Sequence, residues 1–306
     1  MAKKKQIIGA SENLLDKVKR LAIIAMVSDG QLMERLVLKG GNAIDLVFGV
    51  STRASLDLDF SMEKDFSPEE MTFFRGVIEG NLQELLRPEG FEPFEVTLQE
   101  RPEAITSDIA GFWGGYRVEF RLIQSEKYKQ LVGDAAALRR SALVLGELGR
   151  FQIDISRFEY CAPKEHHSFD GHKIFVYSPA MLVIEKFRAI CQQMPEYSPV
   201  IKRNRPPTAR ARDFVDIYAV VRKFAINPKS PQFASLLQDI FYAKRVPLEL
   251  LGKIPDSKEF HEPDFESVKS TVRPAHKLYD FDVYFNFVVG ICDDLKPLWK
   301  KEPPSI

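Results

Sequence analysis

Residues 53 to 60, Arg53-Ala54-Ser55-Leu56-Asp57-Leu58-Asp59-Phe60, alternate along their length. A period of two belongs to a strand with one face on a core and the other open. Leu56, Leu58 and Phe60 take the core face, and Arg53, Ser55, Asp57 and Asp59 take the open one. The pattern demands a sheet with something packed behind it. It also stands two carboxylates about 6.5–7 Å apart along one strand. Upstream, the apolar run Leu36-Val37-Leu38 ends at Lys39-Gly40-Gly41, and Asn42 to Phe48 reads as a short helix. Paired glycines at a strand-to-helix turn let backbone approach an anion closely, and N–H groups at a helix start point at phosphate oxygens. Two aspartates on one face can share a hard dication through oxygen ligands. A phosphate cradle beside such a pair is what in-line transfer from a triphosphate requires, the metal shielding charge and acidifying the attacking hydroxyl.

Around this stretch the pattern reads as α/β. Helices are predicted over Ser11–Val27, Glu69–Leu86 and around Ala135–Leu148. Strands are predicted over Phe91–Leu98, Gly115–Ile123, Phe151–Phe158 and Lys173–Tyr177. From Pro179 the character turns helical: a helix with proline in its first turn, then Asp213–Phe224, Gln232–Ala243 and Phe281–Leu295. The reading is a mixed-sheet domain over 1–178 and a mostly helical domain over 179–306 that completes a cleft. Pro195 to Ala211 reads as a loop or mobile lid. Lys+Arg and Asp+Glu are equal at 43 each, so attraction to a nucleic acid has to come from a local patch. Three cysteines with no CxxC pair argue against a disulfide framework or thiolate zinc site and fit a reducing cytoplasm. No apolar run reaches the ~18 residues of a membrane span.

The order Gly-Gly, helix, Arg-x-Ser-x-Asp-x-Asp-Phe resembles the opening signature of the nucleotidyltransferase superfamily, in the form of its AbiEii/AbiGii branch. Those proteins are toxins of type IV toxin–antitoxin and abortive-infection systems. Tyr177-Ser178-Pro179-Ala180-Met181-Leu182 followed by Glu185-Lys186 resembles the family's second motif, a helical lysine. Arg212-Asp213-Phe214-Val215-Asp216-Ile217-Tyr218 resembles its third. The three motifs span residues 39 to 218 in order. Two features depart from the pattern: Asn42 stands where Ser or Thr is usual, and the loop between Lys186 and Asp213 is long and proline-rich.

The resemblance implies an enzyme that moves a nucleoside monophosphate from an NTP to an RNA acceptor, the tRNA 3′ end being expected, with release of pyrophosphate. It implies Mg²⁺ or Mn²⁺ as cofactor and a cognate antitoxin that acts without a stable complex. Lys39, Gly40, Gly41, Asn42, Arg53 and Ser55 are then expected at the nucleotide, with Arg212 and Asp216. Asp57 and Asp59 hold the metal. A third carboxylate on a neighbouring strand is expected, as metal ligand or base. Asp154 fits by alternation with Ile153 and Ile155; Glu119, flanked by Arg117 and Arg121, is the rival. Lys186 is expected to steady the pyrophosphate, and Asp213 to act as a further active-site acid.

Other features stay open. The run Lys202 to Arg212 reads equally as a solvated loop or a contact to RNA backbone or triphosphate. Trp113, among glycines, can stack on a base or anchor a turn. His166, His167 and His172 lack ligand spacing. Lys244-Arg245 adds little to this reading. The chemistry also allows a small-molecule or protein hydroxyl as acceptor, or a non-catalytic nucleotide-binding module.

Overall fold

The computed structural model describes residues 2–50, 57–144, 149–271 and 277–299, with side chains from residue 14 onward. Arg53 and Ser55 lie outside the described residues. In chain order come α1 (Ala2–Val27), α2 (Gly30–Arg35), β1 (Val37–Lys39) and α3 (Gly40–Asn42), which runs on as a wider helical turn over Ala43–Val47. Then follow β2 (Leu58–Ser61), α4 (Pro68–Leu86), β3 (Phe91–Arg101), α5 (Ser107–Ala110), β4 (Gly115–Gln124), α6 (Ser125–Leu131), α7 (Ala135–Ser141) and β5 (Phe151–Ser156). The hairpin β6 (Glu165–Phe169) and β7 (His172–Val176) leads to α8 (Pro179–Cys191). The remainder is helical: α9 (Ala211–Phe224), α10 (Pro231–Ala243), α11 (Lys258–His261), α12 (Phe265–Thr271) and α13 (Phe281–Asp294).

The strands form one mixed sheet in the order β3-β4-β5-β2-β1-β7-β6. Two pairs, β2/β5 and β1/β7, are parallel; the other four are antiparallel. In β5, Phe151, Ile153 and Ile155 are buried while Gln152, Asp154 and Ser156 are half-buried, so alternation turns Asp154 off the core face. The hairpin strand β6 carries no hydrophobic signal because it is an exposed edge, with Glu165, His166 and Ser168 all facing solvent. One buried apolar cluster runs from Leu15 in α1 through the sheet to Leu295, so residues on both sides of position 178 build the same core.

Local signals set the helix ends. Ser67 and Glu70 form a reciprocal capping box on α4, and Ser178 caps α8 ahead of Pro179. Helix α9 has no cap side chain of its own. Its start is held from a distance: Arg210 N–H donates to His261 Nδ1 at 3.0 Å and Ala211 N–H to Asp264 at 3.1 Å. That tie fixes where the chain re-enters a helix after the proline-rich loop. The loop itself is anchored. Arg203 donates to the carbonyls of Gln192 at 2.7 Å and Gln193 at 3.1 Å, and to Ser198 Oγ at 2.6 Å, capping the end of α8.

Candidate active site

Strand register sets one lateral row of charge across the sheet. Lys39 pairs with Asp59, Asp59 with Asp154, and Asp154 with Arg117. Neighbouring strands lie about 4.8 Å apart and directly paired residues share a face, so two carboxylates stand side by side between two cations. Asp57 is exposed two residues before Asp59 and faces the same cleft. This cleft, of about 1200 Å³, is lined by Gly40, Gly41, Asp57, Asp59, Arg117, Asp154, Lys186, Arg212 and Asp213 among others. Glu119 is not among its lining residues. It is tied to Arg150 at 3.0 Å and to Gln152 at 3.1 Å instead. Of the two third-acid candidates, the fold brings Asp154 to the cleft.

Asp59 is under electrostatic pressure. Burial, and then Glu185, Asp154 and Asp57 around it, outweigh Lys39 and raise its pKa from 3.8 to about 6. Gly40 presses on it from behind. It has φ +72°, and a Cβ there would sit 2.6 Å from Asp59 Oδ2, so glycine is needed for the carboxylate as well as for the turn. A partly buried carboxylate crowded by carboxylates, beside the open Asp57, is an all-oxygen donor set that fits a hard divalent cation. Arg117 holds Asp154 through both oxygens at 2.7 and 3.0 Å, which fixes its carboxylate and occupies one lone pair on each oxygen. No cluster of three acid, His or Cys side chains arranged for a metal occurs among the described residues.

Two of the residues expected at the nucleotide have polar partners within the protein. Asn42 is buried, does not line the cleft, and donates through Nδ2 to the backbone oxygen of Asp57. That bond holds the strand that carries the acids. Lys39 is buried at the floor of the cleft, 3.1 Å from Ser156 Oγ and 3.4 Å from Glu185. Burial alone would lower its pKa, but Glu185 and Glu159 outweigh this and raise it.

Lys186 lies on a wall of the cleft, almost fully buried, 3.1 Å from Asp213 and 2.7 Å from Asp216. Asp213 also pairs with Arg210. Burial would raise Asp213, yet Arg210 and Lys186 hold it below the usual carboxylate range. Its oxygens are spent on two cations, so it is a poor proton acceptor. Asp213 thereby ties Lys186 on α8 to the start of α9. Arg210, three residues before Asp213, makes the i,i+3 pair, whereas Arg212, expected at the nucleotide, is exposed.

A second buried network centres on Glu159. Glu159 accepts from Arg188 at 2.7 and 3.1 Å and lies 3.6 Å from Lys244 and 3.7 Å from Lys39. Lys244 donates to the carbonyls of Phe112, at 3.1 Å, and Arg157. Burial lowers its pKa from 10.5 to about 8 despite Glu159. The Glu185/Arg188 spacing carried a signal; Glu159 and Lys244 carried none, because their burial is decided by chain segments far away in sequence.

The cleft is basic in a chain with no net charge. Eleven Lys or Arg and six Asp or Glu are found among its described lining residues, the local patch that composition leaves invisible. Of the loop cations, Lys202 reaches across the rim to Asp108 at 2.7 Å, Arg203 caps α8, and Arg210 pairs with Asp213. Arg205 and Arg212 are exposed with no ion pair among the described residues. No described helix is long and apolar enough to cross a membrane.

A family model described as "Nucleotidyl transferase AbiEii toxin, Type IV TA system" matches residues 22–286. Among solved structures, an H. pylori protein provisionally described as a nucleotidyltransferase is similar at TM-score 0.48 and 17% identity, over 94% of this chain and 97% of that one. An antigenic nucleotidyltransferase-like protein from Paracoccidioides brasiliensis is similar at TM-score 0.33 and 13% identity, over 83% of this chain and 94% of that one. No curated protein matches the chain.

Proposed function

Because this chain belongs to the AbiEii family of nucleotidyltransferase toxins of type IV toxin–antitoxin systems, we propose that it transfers a nucleoside monophosphate from an NTP to an RNA hydroxyl, with the tRNA 3′ end as the acceptor. The observation that carries this reading is the row Lys39, Asp59, Asp154 and Arg117 along the floor of a basic cleft. Asp57 and Asp59 would hold Mg²⁺ or Mn²⁺. When bound, such an ion supplies shielding of phosphate charge and polarisation of a phosphoryl oxygen.

The chain's own groups do the rest. Gly40 and Gly41 leave room for the triphosphate at the turn. Arg212 and Arg205, exposed and without an ion pair among the described residues, offer it positive charge, and Lys186, held still by Asp213 and Asp216, faces the departing pyrophosphate. Asp154 takes the proton of the acceptor hydroxyl; its carboxylate keeps lone pairs beyond those bonded to Arg117. The hydroxyl oxygen then bonds to the α-phosphorus as the bond to the β-phosphate oxygen breaks. Little covalent work falls to the protein in phosphoryl chemistry, so positioning and charge carry the rate. An antitoxin that relieves growth arrest without a stable complex completes the proposed role.

The test supplies α-labelled NTPs with total RNA, total protein or small hydroxyl compounds. Label in RNA, lost with Asp57→Ala, is the expected result. Label in protein or small molecules and never in RNA would remove the acceptor assignment. Growth arrest undiminished by Asp57→Ala would remove the enzymatic basis of toxicity.

A further inference from the structure

Trp113 stands on the cleft wall between β3 and β4, half-buried, in a setting that fixes its backbone on every side. Its N–H donates to Ile109 O at 3.0 Å, and its carbonyl accepts from Arg157 Nε at 3.4 Å. The preceding carbonyl, Phe112, accepts from buried Lys244. Gly114 follows at φ +103°, and a Cβ on Gly115 would sit 2.0 Å from Ile155 O, so two glycines let the segment lie flat on β5. Part of the ring packs inward, at 6.1 Å from the Tyr197 ring and 5.9 Å from the Lys244 amine. The residue is half-buried and lines the cleft.

A turn anchor needs none of this exposure. The other ring on that wall, Tyr116, is 2% exposed and bonded to Asp65, so Trp113 is the accessible aromatic among the described lining residues. Around it the cleft is rimmed by Arg101, Lys202 and Arg205. An immobilised π-face beside cations that can meet phosphates is the combination that holds single nucleotides and single strands.

We infer that Trp113 is a stacking platform for a nucleobase, either that of the donor NTP or an unpaired base of the acceptor strand. The inference rests on the nucleotidyl-transfer reading for the identity of its ligand and names a site within that cleft.

The experiment measures Kd for wild type, Trp113→Leu and Trp113→Phe without turnover. The probes are the four ribonucleoside triphosphates, inorganic tripolyphosphate, a short single-stranded RNA and the same strand made abasic. Trp113→Leu should weaken a base-bearing probe roughly 5- to 150-fold, the worth of one base stack, and leave its base-free counterpart unchanged. Trp113→Phe, which keeps a ring, should stay near wild type. Loss confined to NTPs assigns the donor base, and loss confined to RNA assigns the acceptor base; either supports the platform. Equal loss on base-bearing and base-free probes, no loss on either, or a Trp113→Phe variant that folds and binds as poorly as Trp113→Leu would overturn it. Base-dependent binding in a protein that labels no acceptor would sink the transfer reading and leave the platform standing. Transfer to RNA with no base-dependent loss would do the reverse.

Discussion

Replacing Asp213 with Asn separates a clamp from a base. Asp213 is 1% exposed and lies between Lys186, at 3.1 Å, and Arg210. At an effective dielectric of about 20, one such contact carries roughly 5 kcal/mol of gross attraction, most of it offset by desolvation. Removing one partner of a buried pair strands the other, which costs about 3–5 kcal/mol. Asparagine keeps the shape, but its NH₂ turns a donor toward one of two cations that only donate. The expected result is a fall in Tm on the order of 10 °C at pH 7. The choice of pH follows from the sign of the shift. A carboxyl held below 3.8 contributes its stability above that value and loses it only as pH falls through the folded pKa. Thermal or urea unfolding of both proteins gives the number. If the clamp reading holds, residual transfer falls evenly across pH. A variant within ~0.5 kcal/mol of wild type that loses transfer and the acidic limb of its pH profile would refute the argument and return Asp213 to proton transfer.

Three further outcomes are expected. Mg²⁺ at about 100 times its Kd should add about 2.7 kcal/mol to wild-type stability and nothing to Asp59→Asn, which without metal should be at least as stable as wild type because a crowded carboxylate is gone; an equal Mg²⁺ shift in both proteins places the ion elsewhere. Lys244 is depressed from 10.5 to about 8, first by burial and then by Arg188 and Lys39, so the folded state binds its proton less tightly than the unfolded state. Wild type should therefore gain about 2 kcal/mol relative to Lys244→Met between pH 7.5 and 9.5, read by denaturant unfolding; a pH-independent difference contradicts the buried charge. Arg205→Ala and Arg212→Ala should each weaken RNA binding at low salt and reduce the log–log salt slope by about 1, whereas an unchanged slope means those guanidinium groups do not meet phosphate.

The alternation of residues 53 to 60 and the Gly40-Gly41 turn lie in neighbouring stretches of sequence, and their logic is local. Period two decides which side chains share a face, so Asp57 and Asp59 were legible as one open edge of a strand, and Asp154 as open on another. The helix starts at Ser67 and Ser178 are also set locally, by capping serines. What the chain could not state by itself was register. Only strand pairing puts Asp59 beside Asp154 and Arg117 across Asp154, and the same register sets Glu119 opposite Gln152, one step further along that face and outside the cleft lining. Charge pairing was equally hidden. Lys186 looks free on its helix, and Lys244 looks like any surface lysine, until segments 27 and 87 residues distant supply Asp213 and the Arg157 carbonyl. Burial decides whether a charge is available or spent, and burial is a property of the packed chain. The sequence by itself determined which residue types the cleft would hold; the tertiary structure decided which of them remain open to a ligand.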